Sequence, residues 1–140
     1  MTKGILVVDS SAIVAILTEE AEAPVFSNLL DARPISYCSS VTFVETFMVL
    51  TSRISNLSAA GLAAALRTLA IEQRPVDTEQ SALAADAFLR FGKGRHPAKL
   101  NLGDCFSYAL AKSLDAPLLY KGEDFTKTDI LSATAAGVRR

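Results

Sequence analysis

The sequence predicts an α/β protein: a three-layer α/β/α sandwich around a mostly parallel sheet. Three observations carry that expectation. Short apolar runs alternate along the chain with longer segments of helical period. The first run, Ile5 to Val8, is continuously apolar and rich in β-branched residues, as a strand buried on both faces requires. No internal repeat or linker interrupts the pattern, so residues 1–140 read as a single domain, long enough to bury roughly 70% of the extended-chain surface.

Taken in order, the first strand stops at Asp9, after which Ala12 to Leu17 reads as a short helix capped by Ser10 or Ser11. Glu19 to Ala32 continues helical, with Val25, Leu29 and Leu30 on one stripe, and Pro34 introduces a second strand that ends at Cys38. Ser39 or Ser40 then caps a helix from Val41 to Arg53, which is apolar nearly all round and so expected to be well buried. Ser58 opens a helix over Ala59 to Glu72, and Pro75-Val76 marks a brief third strand. A helix capped by Thr78 reaches Phe91 and breaks into the loop Gly92 to Pro97. The next helix spans Asp104 to Leu114, and Ala116 to Tyr120 forms the fourth strand. Lys121 to Asp129 reads as a loop, Ile130-Leu131 as a last short strand, and the chain from Ser132 as a frayed tail.

Composition narrows the function classes. No apolar run approaches the roughly 18–20 residues that span a bilayer, so no membrane role is expected. Cys38 and Cys105 form no CxxC pair and are too few for a disulfide scaffold, which points to a reducing, cytoplasmic setting. Neither GxxxxGK[ST] nor GxGxxG is present, so a nucleotide cradle is not expected. The net charge of −1 gives no global attraction to nucleic acid, but its distribution does. From Ala87 to Gly103 there is no acid, whereas Arg90, Lys93, Arg95 and Lys99 are all present, a stretch able to steer a phosphate backbone.

Three acids share an unusual setting. Asp9 is the only charge between Lys3 and Glu19, Glu45 the only one between Arg33 and Arg53, and Asp104 the only one between Lys99 and Lys112. An isolated buried carboxylate is costly to ionise and is normally paired, metal-bound or protonated. Asp9 and Asp104 each have a structural explanation as helix caps. Glu45 does not, because it sits mid-helix, four residues from both Val41 and Val49. Asp9 ends the first strand, and the helix of Asp104 feeds the fourth, so both are expected at one end of the sheet. A fourth acid is expected from Glu123 or Asp124, with Asp129 as a competitor. Oxygen ligands clustered without His or Cys select Mg²⁺ or Mn²⁺. Such a cluster is the apparatus for phosphodiester hydrolysis and needs no protein nucleophile. The single histidine, His96, lies in the basic loop, and Ser10, Ser11 and Ser107 have no evident partner base. The serines are expected instead to cap helices or to hydrogen-bond the acids.

These residues resemble the PIN-domain ribonucleases, and among them the VapC-type toxins of toxin–antitoxin pairs. The resemblance covers nearly the whole chain and is carried by Val7-Val8-Asp9-Ser10-Ser11-Ala12, by Thr42-Phe-Val-Glu45, by Leu100-Asn-Leu-Gly-Asp104-Cys-Phe-Ser-Tyr-Ala-Leu-Ala111 and by Leu119-Tyr-Lys-Gly-Glu-Asp124-Phe-Thr-Lys-Thr-Asp129. The last two, in this order and spacing, are specific. The resemblance implies a metal-dependent endoribonuclease that cuts RNA, commonly tRNA or rRNA. It makes Asp9 and Asp104 the principal Mg²⁺ ligands, with Glu45 and Asp124 completing the catalytic acids. Ser10 stands where these toxins often carry threonine, which leaves the hydroxyl in place. Also implied are a homodimer and a cognate VapB-type antitoxin. A groove for the antitoxin is sought among Val25, Leu29, Leu50, Leu62 and Leu66. On this reading Lys93, Arg95 and Lys99 hold RNA phosphates.

Two other classes compete. A receiver-like signalling domain has similar length, an acid after a strand and Lys121 after the last strand, but it wants paired acids where Asp9 is followed by serines, and it leaves Glu45 unexplained. The other is a catalytically silent PIN-like binding module.

Overall fold

The computed structural model describes residues 4–134. Its centre is a four-stranded parallel sheet built from β1 (Val7–Val8), β2 (Ser36–Ser39), β3 (Ile71–Arg74) and β4 (Leu118–Leu119), in the order β3-β2-β1-β4. Two helices fill each crossover: α1 (Ser10–Leu17) and α2 (Ala23–Asp31), then α3 (Ser40–Leu50) and α4 (Ala59–Thr68), then α5 (Thr78–Phe91) and α6 (Leu102–Ser113). A short 3-10 helix, Asp124–Lys127, follows β4.

Strand alternation sets the layers. Leu6, Val8, Cys38 and Leu119 pack into one core with Ala12, Ile13, Phe26, Leu62 and Leu66. Val7 and Leu118 face the other core, with Phe91, Leu100, Tyr108 and Leu110. The sheet is therefore buried on both sides, which is why Ile5 to Val8 has no polar residue. Val7 pairs with both Tyr37 and Leu118, which places β1 centrally. From β1 the chain first builds outward through β2 and β3, then returns to lay β4 on the opposite side. The crevice beyond the carboxyl ends of β1 and β4 is thus the topological switch point, where α/β sheets bind ligands.

Several boundaries differ from the sequence reading, each for a physical reason. The third strand is Ile71–Arg74 and not Pro75-Val76: the preceding helix stops at Thr68, and Ala70 takes a left-handed turn (φ 57°) that a glycine would ordinarily mark. The second helix starts at Ala23 and not Glu19, after a turn in which Glu19 itself has φ 56°. α1 is capped by Asp9 and not by a serine, α5 by Asp77 and not Thr78, and α6 by Asn101, three residues before the expected start. Lys121 to Asp129 is not all loop, since it contains the 3-10 turn. In place of a strand at Ile130-Leu131, one parallel bridge joins Ser132 to Leu118, so Ser132 and Ala133 are tied to β4. The rest of the expected tail, 135–140, lies outside the described residues.

α3 is patterned the reverse of what its composition suggests. Its buried residues are Thr42, Thr46 and Leu50, whereas Val44 and Met48 are 55% and 67% exposed. The row Val41–Glu45–Val49 faces a groove of about 670 Å³, also lined by Leu102 and Gly103, and not the core. Conversely Leu50, Leu62 and Leu66 are core residues, so they cannot form the apolar antitoxin groove sought from the sequence; only Val25 of that set is exposed. Among the described residues no helix is long and apolar enough to cross a membrane.

Candidate active site

Asp9 is the residue immediately after β1, held by its amide on Leu119 O (2.9 Å). It is 2% exposed and serves two purposes. As the cap of α1 its Oδ2 accepts from the Ser11 amide (3.0 Å) and from the Ser11 hydroxyl (2.7 Å). Its Oδ1 accepts from Ser107 of α6 (2.6 Å). The capping and site readings of Asp9 are therefore not alternatives. Ser11 reaches further: its hydroxyl accepts from the Lys121 amide (2.9 Å), which fixes the chain leaving β4 against the acid.

Glu45 comes from the second turn of α3, half-buried, with Oε1 accepting from the Ser10 hydroxyl (2.9 Å). Ser10 and Ser11 thus each serve a different carboxylate. Asp104 lies in the first turn of α6, inside a reciprocal capping box: its amide donates to Asn101 Oδ1 (2.9 Å) and its Oδ2 accepts from the Asn101 amide (3.1 Å). Among the described residues, Oδ1 of Asp104 accepts no hydrogen bond. Gly103 permits the close approach of α6 to α3, because a Cβ there would run into the Glu45 carboxylate. The obstruction is the end of a flexible side chain, so Gly103→Ala is expected to change stability little. It should instead push Glu45 off Ser10 and lower turnover by about 100-fold, as displacements near 1 Å do in active sites. Paired thermal melts and single-turnover rates check this.

Electrostatics connect the acids. Burial lifts the Asp104 carboxyl to about 7, and the carboxylates of Asp9, Glu45 and Asp124 push the same way against the hydrogen bond from Asn101. Glu45 is raised as well, first by burial and then by Asp9, while Ser10 pulls it back. Among the acids that follow β4, Asp124 adds to the push on Asp104. It is exposed at the start of the 3-10 turn, just past Gly122, whose φ of 101° turns the chain out of the sheet. Asp129 is engaged elsewhere: Arg90 (3.3 Å), Lys112 (3.2 Å) and the Tyr108 hydroxyl (2.6 Å) all bind its carboxylate. Burial works to raise its pKa, but those partners leave it lowered. Arg90 is thereby withdrawn from the basic stretch.

None of Asp9, Glu45, Asp104 and Asp124 forms an ion pair among the described residues. Nor are any three His, Cys, Asp or Glu among them drawn together as ready-made ligands of one ion. An all-oxygen set with unrelieved mutual repulsion nevertheless fits a hard cation, and Mg²⁺ is commonly held by only one or two carboxylates with waters completing its shell. The two thiols are inert: burial pushes Cys38 up to about 12 and, with the charge of Asp104, Cys105 up to about 11.

Lys93, Arg95 and Lys99 are exposed around a depression of about 500 Å³ completed by Gly94, His96 and Pro97. The loop is closed by Lys93 N donating to Leu100 O (2.9 Å) and Leu100 N to Phe91 O (3.0 Å), and it delivers the chain straight to Asn101 and the helix of Asp104. Among the described residues no carboxylate pairs with these three cations. His96 points its Nδ1 at the Ala98 amide (3.0 Å) and packs edge-on to Phe91.

Sequence reasoning missed the supporting roles of Asn101, Gly103 and Thr42. Asn101 was legible as the first member of an N-x-x-D capping pattern. Gly103 carries no such signal, because its importance comes from α3 packing across it.

With this geometry in place, the chain is assigned to the PIN-domain family, whose model matches residues 6–131. Within that family it belongs with the VapC ribonucleases. It is 42% identical over 125 residues to Ribonuclease VapC of Mycolicibacterium smegmatis, covering 89% of this chain and 97% of the relative. Ribonuclease VapC30 of Mycobacterium tuberculosis is also 42% identical, over 89% of this chain and 95% of its own length. Membership excludes the receiver-like reading. Among solved structures, VapC20 of Mycobacterium tuberculosis, described as a Sarcin-Ricin loop cleaving toxin, superposes with a TM-score of 0.72 at 18% identity, covering 90% of this chain and 96% of that one. VapBC2 from Rickettsia felis, bound to a DNA fragment from its promoter, gives 0.70 at 12% identity over 91% of this chain and 96% of that one. At those identities the structures speak to fold alone.

Proposed function

We propose that this chain is a Mg²⁺-dependent endoribonuclease toxin (Mn²⁺ serving as a substitute) that cuts tRNA or rRNA in the cytoplasm and is neutralised by a VapB-type antitoxin. The observation that carries the reading is the mutual repulsion of Asp9, Glu45 and Asp124 with Asp104 beside the β1/β4 switch point, with no ion pair to any of the four among the described residues. Asp9 and Asp104 would hold the ion, with Glu45 and Asp124 completing the acidic basin. When bound, the ion supplies Lewis-acid polarisation of the phosphate and activation of water. Glu45, its pKa raised first by burial and its Oε1 held by the Ser10 hydroxyl, would be the acid placed to accept a proton from water. Asp104 in the first turn of α6 and Asp9 at the cap of α1 both sit at helix N-termini, where the dipole favours negative charge.

Lys93, Arg95 and Lys99 would hold the RNA backbone beside the site. Lys93→Ala with Arg95→Ala is expected to lower kcat/KM most at low salt, and to make its dependence on log salt shallower by roughly 0.7 per lost phosphate contact. A salt slope equal to that of wild type removes the loop from RNA binding. The exposed apolar side of α3, with Val44 and Met48 facing the groove beside Leu102, is suited to a homodimer contact. An antitoxin partner is supported by membership among the VapC ribonucleases.

The test is cleavage of a total tRNA and rRNA pool by purified, antitoxin-free protein, with Mg²⁺ and with EDTA. Discrete fragments that need the ion are expected. An uncut pool with a folded, Mg²⁺-loaded protein would turn the reading toward a silent binding module.

A further inference from the structure

Thr42 and Ser107 are both fully buried, and both hydroxyls are spent on the acidic site. Ser107 Oγ lies 2.6 Å from Asp9 Oδ1 and 3.2 Å from Thr42 Oγ1. Ser107 has one hydrogen, and an Asp9 carboxylate can only accept, so that hydrogen goes to Asp9 and Thr42 must donate to Ser107. The relay Thr42→Ser107→Asp9 therefore has a fixed direction. It also joins three of the four elements that carry the acids: Thr42 is one turn before Glu45 on α3, Ser107 is one turn after Asp104 on α6, and Asp9 follows β1.

Counting lone pairs shows what the relay does to Asp9. A carboxylate offers about four acceptor sites. Two on Oδ2 are taken by the amide and hydroxyl of Ser11, and one on Oδ1 by Ser107. Among the described residues nothing else binds the carboxylate, so a single site on Oδ1 is left. We infer that Ser107, oriented by Thr42, is a positioning residue that fixes the Asp9 carboxylate so that it presents one oxygen, Oδ1, to the cation. The inference rests on the proposed metal-dependent reading of the site. A one-oxygen carboxylate suits a small octahedral cation such as Mg²⁺ or Mn²⁺. Hydrogen-bonded supports of this kind are worth about 10–100-fold in metal affinity.

Mn²⁺ binding to the full chain, followed by electron paramagnetic resonance of the free ion, reads this directly without RNA or turnover. Wild type is expected to bind and Ser107→Ala to bind at least tenfold more weakly, with a lowered thermal midpoint in EDTA because the buried Thr42 hydroxyl loses its partner. Ser107→Cys decides between hydrogen bonding and packing: it keeps the volume but offers only a weak S–H donor, so it too should lose affinity. Thr42→Val, which keeps shape and removes the upstream donor, should fall between. Wild-type affinity in Ser107→Cys, or in Ser107→Ala, overturns the inference while leaving the metal site standing. A wild-type protein that binds no Mn²⁺ overturns the metal reading, and the inference with it.

Discussion

Asp9→Asn is expected to lower RNA cleavage by about 10³-fold, equivalent to about 4 kcal/mol of barrier, while the protein stays folded. The expected loss is large because Asp9 is the most buried of the four acids and the one to which the others are referred: its charge helps raise both Glu45 and Asp104. Removing that charge takes away a proposed ligand and loosens the hold of the basin on any cation. The fold survives because asparagine still offers an oxygen to the Ser11 amide, and the Ser107 hydroxyl can turn to accept from the new amide. The cost of that rearrangement is about 1 kcal/mol. Initial rates with matched circular-dichroism melts separate the two effects. An Asp9→Asn protein that cleaves as fast as wild type would show that the activity comes from elsewhere.

The second large effect concerns pH and the ion together. Burial lifts the Asp104 carboxyl to about 7 in the folded chain, from an ordinary value of 3.8. Between those values the folded state binds more protons than the unfolded state, so the stability of the ion-free protein falls as pH rises from about 4 to about 7 and then levels. Glu45, also raised, adds a contribution of the same sign. A cation requires the ionised form, so its affinity should climb by up to tenfold per pH unit below 7 and flatten above. Two measurements follow. The thermal midpoint in EDTA should drop across this window, whereas Mg²⁺ should stabilise far more at pH 8 than at pH 5. Mg²⁺ titrated calorimetrically at pH 6 should release close to one proton per ion from Asp104, and almost none from that group at pH 8.5. Asp104→Asn keeps an oxygen for the Asn101 amide, and should flatten the EDTA profile and raise the midpoint at pH 8. A midpoint in EDTA that rises with pH would contradict the burial and repulsion assigned to Asp104.

Much of the site is legible in the sequence because its chemistry leaves gaps in the charge pattern. Glu45 stands out as the lone charge in the middle of an apolar helix, and Asp9 as the lone charge at the end of a strand. The parallel sheet is legible for a similar reason, since a strand such as Ile5 to Val8 has no solvent face to reveal. What sequence alone does not resolve is tertiary. Asp124 and Asp129 look equivalent in their short segment, and only the arrival of Arg90, Lys112 and Tyr108 at Asp129 separates them. α3 reads as buried because of its valines and methionine, yet it turns its threonines inward to meet Ser107 and its apolar residues outward. The third strand was hidden because Ala70, and not a glycine, makes the left-handed turn before it.

The most direct measurement is the anomalous difference density of crystals grown with Mn²⁺. A peak is expected at the β1/β4 crevice within ligand distance of Asp9 Oδ1 and of the Asp104 carboxylate, absent from Asp9→Asn crystals. Mn²⁺ ordered only at other carboxylates, such as Glu20 and Glu22 beside Lys121, in crystals of a protein that cleaves RNA would contradict it.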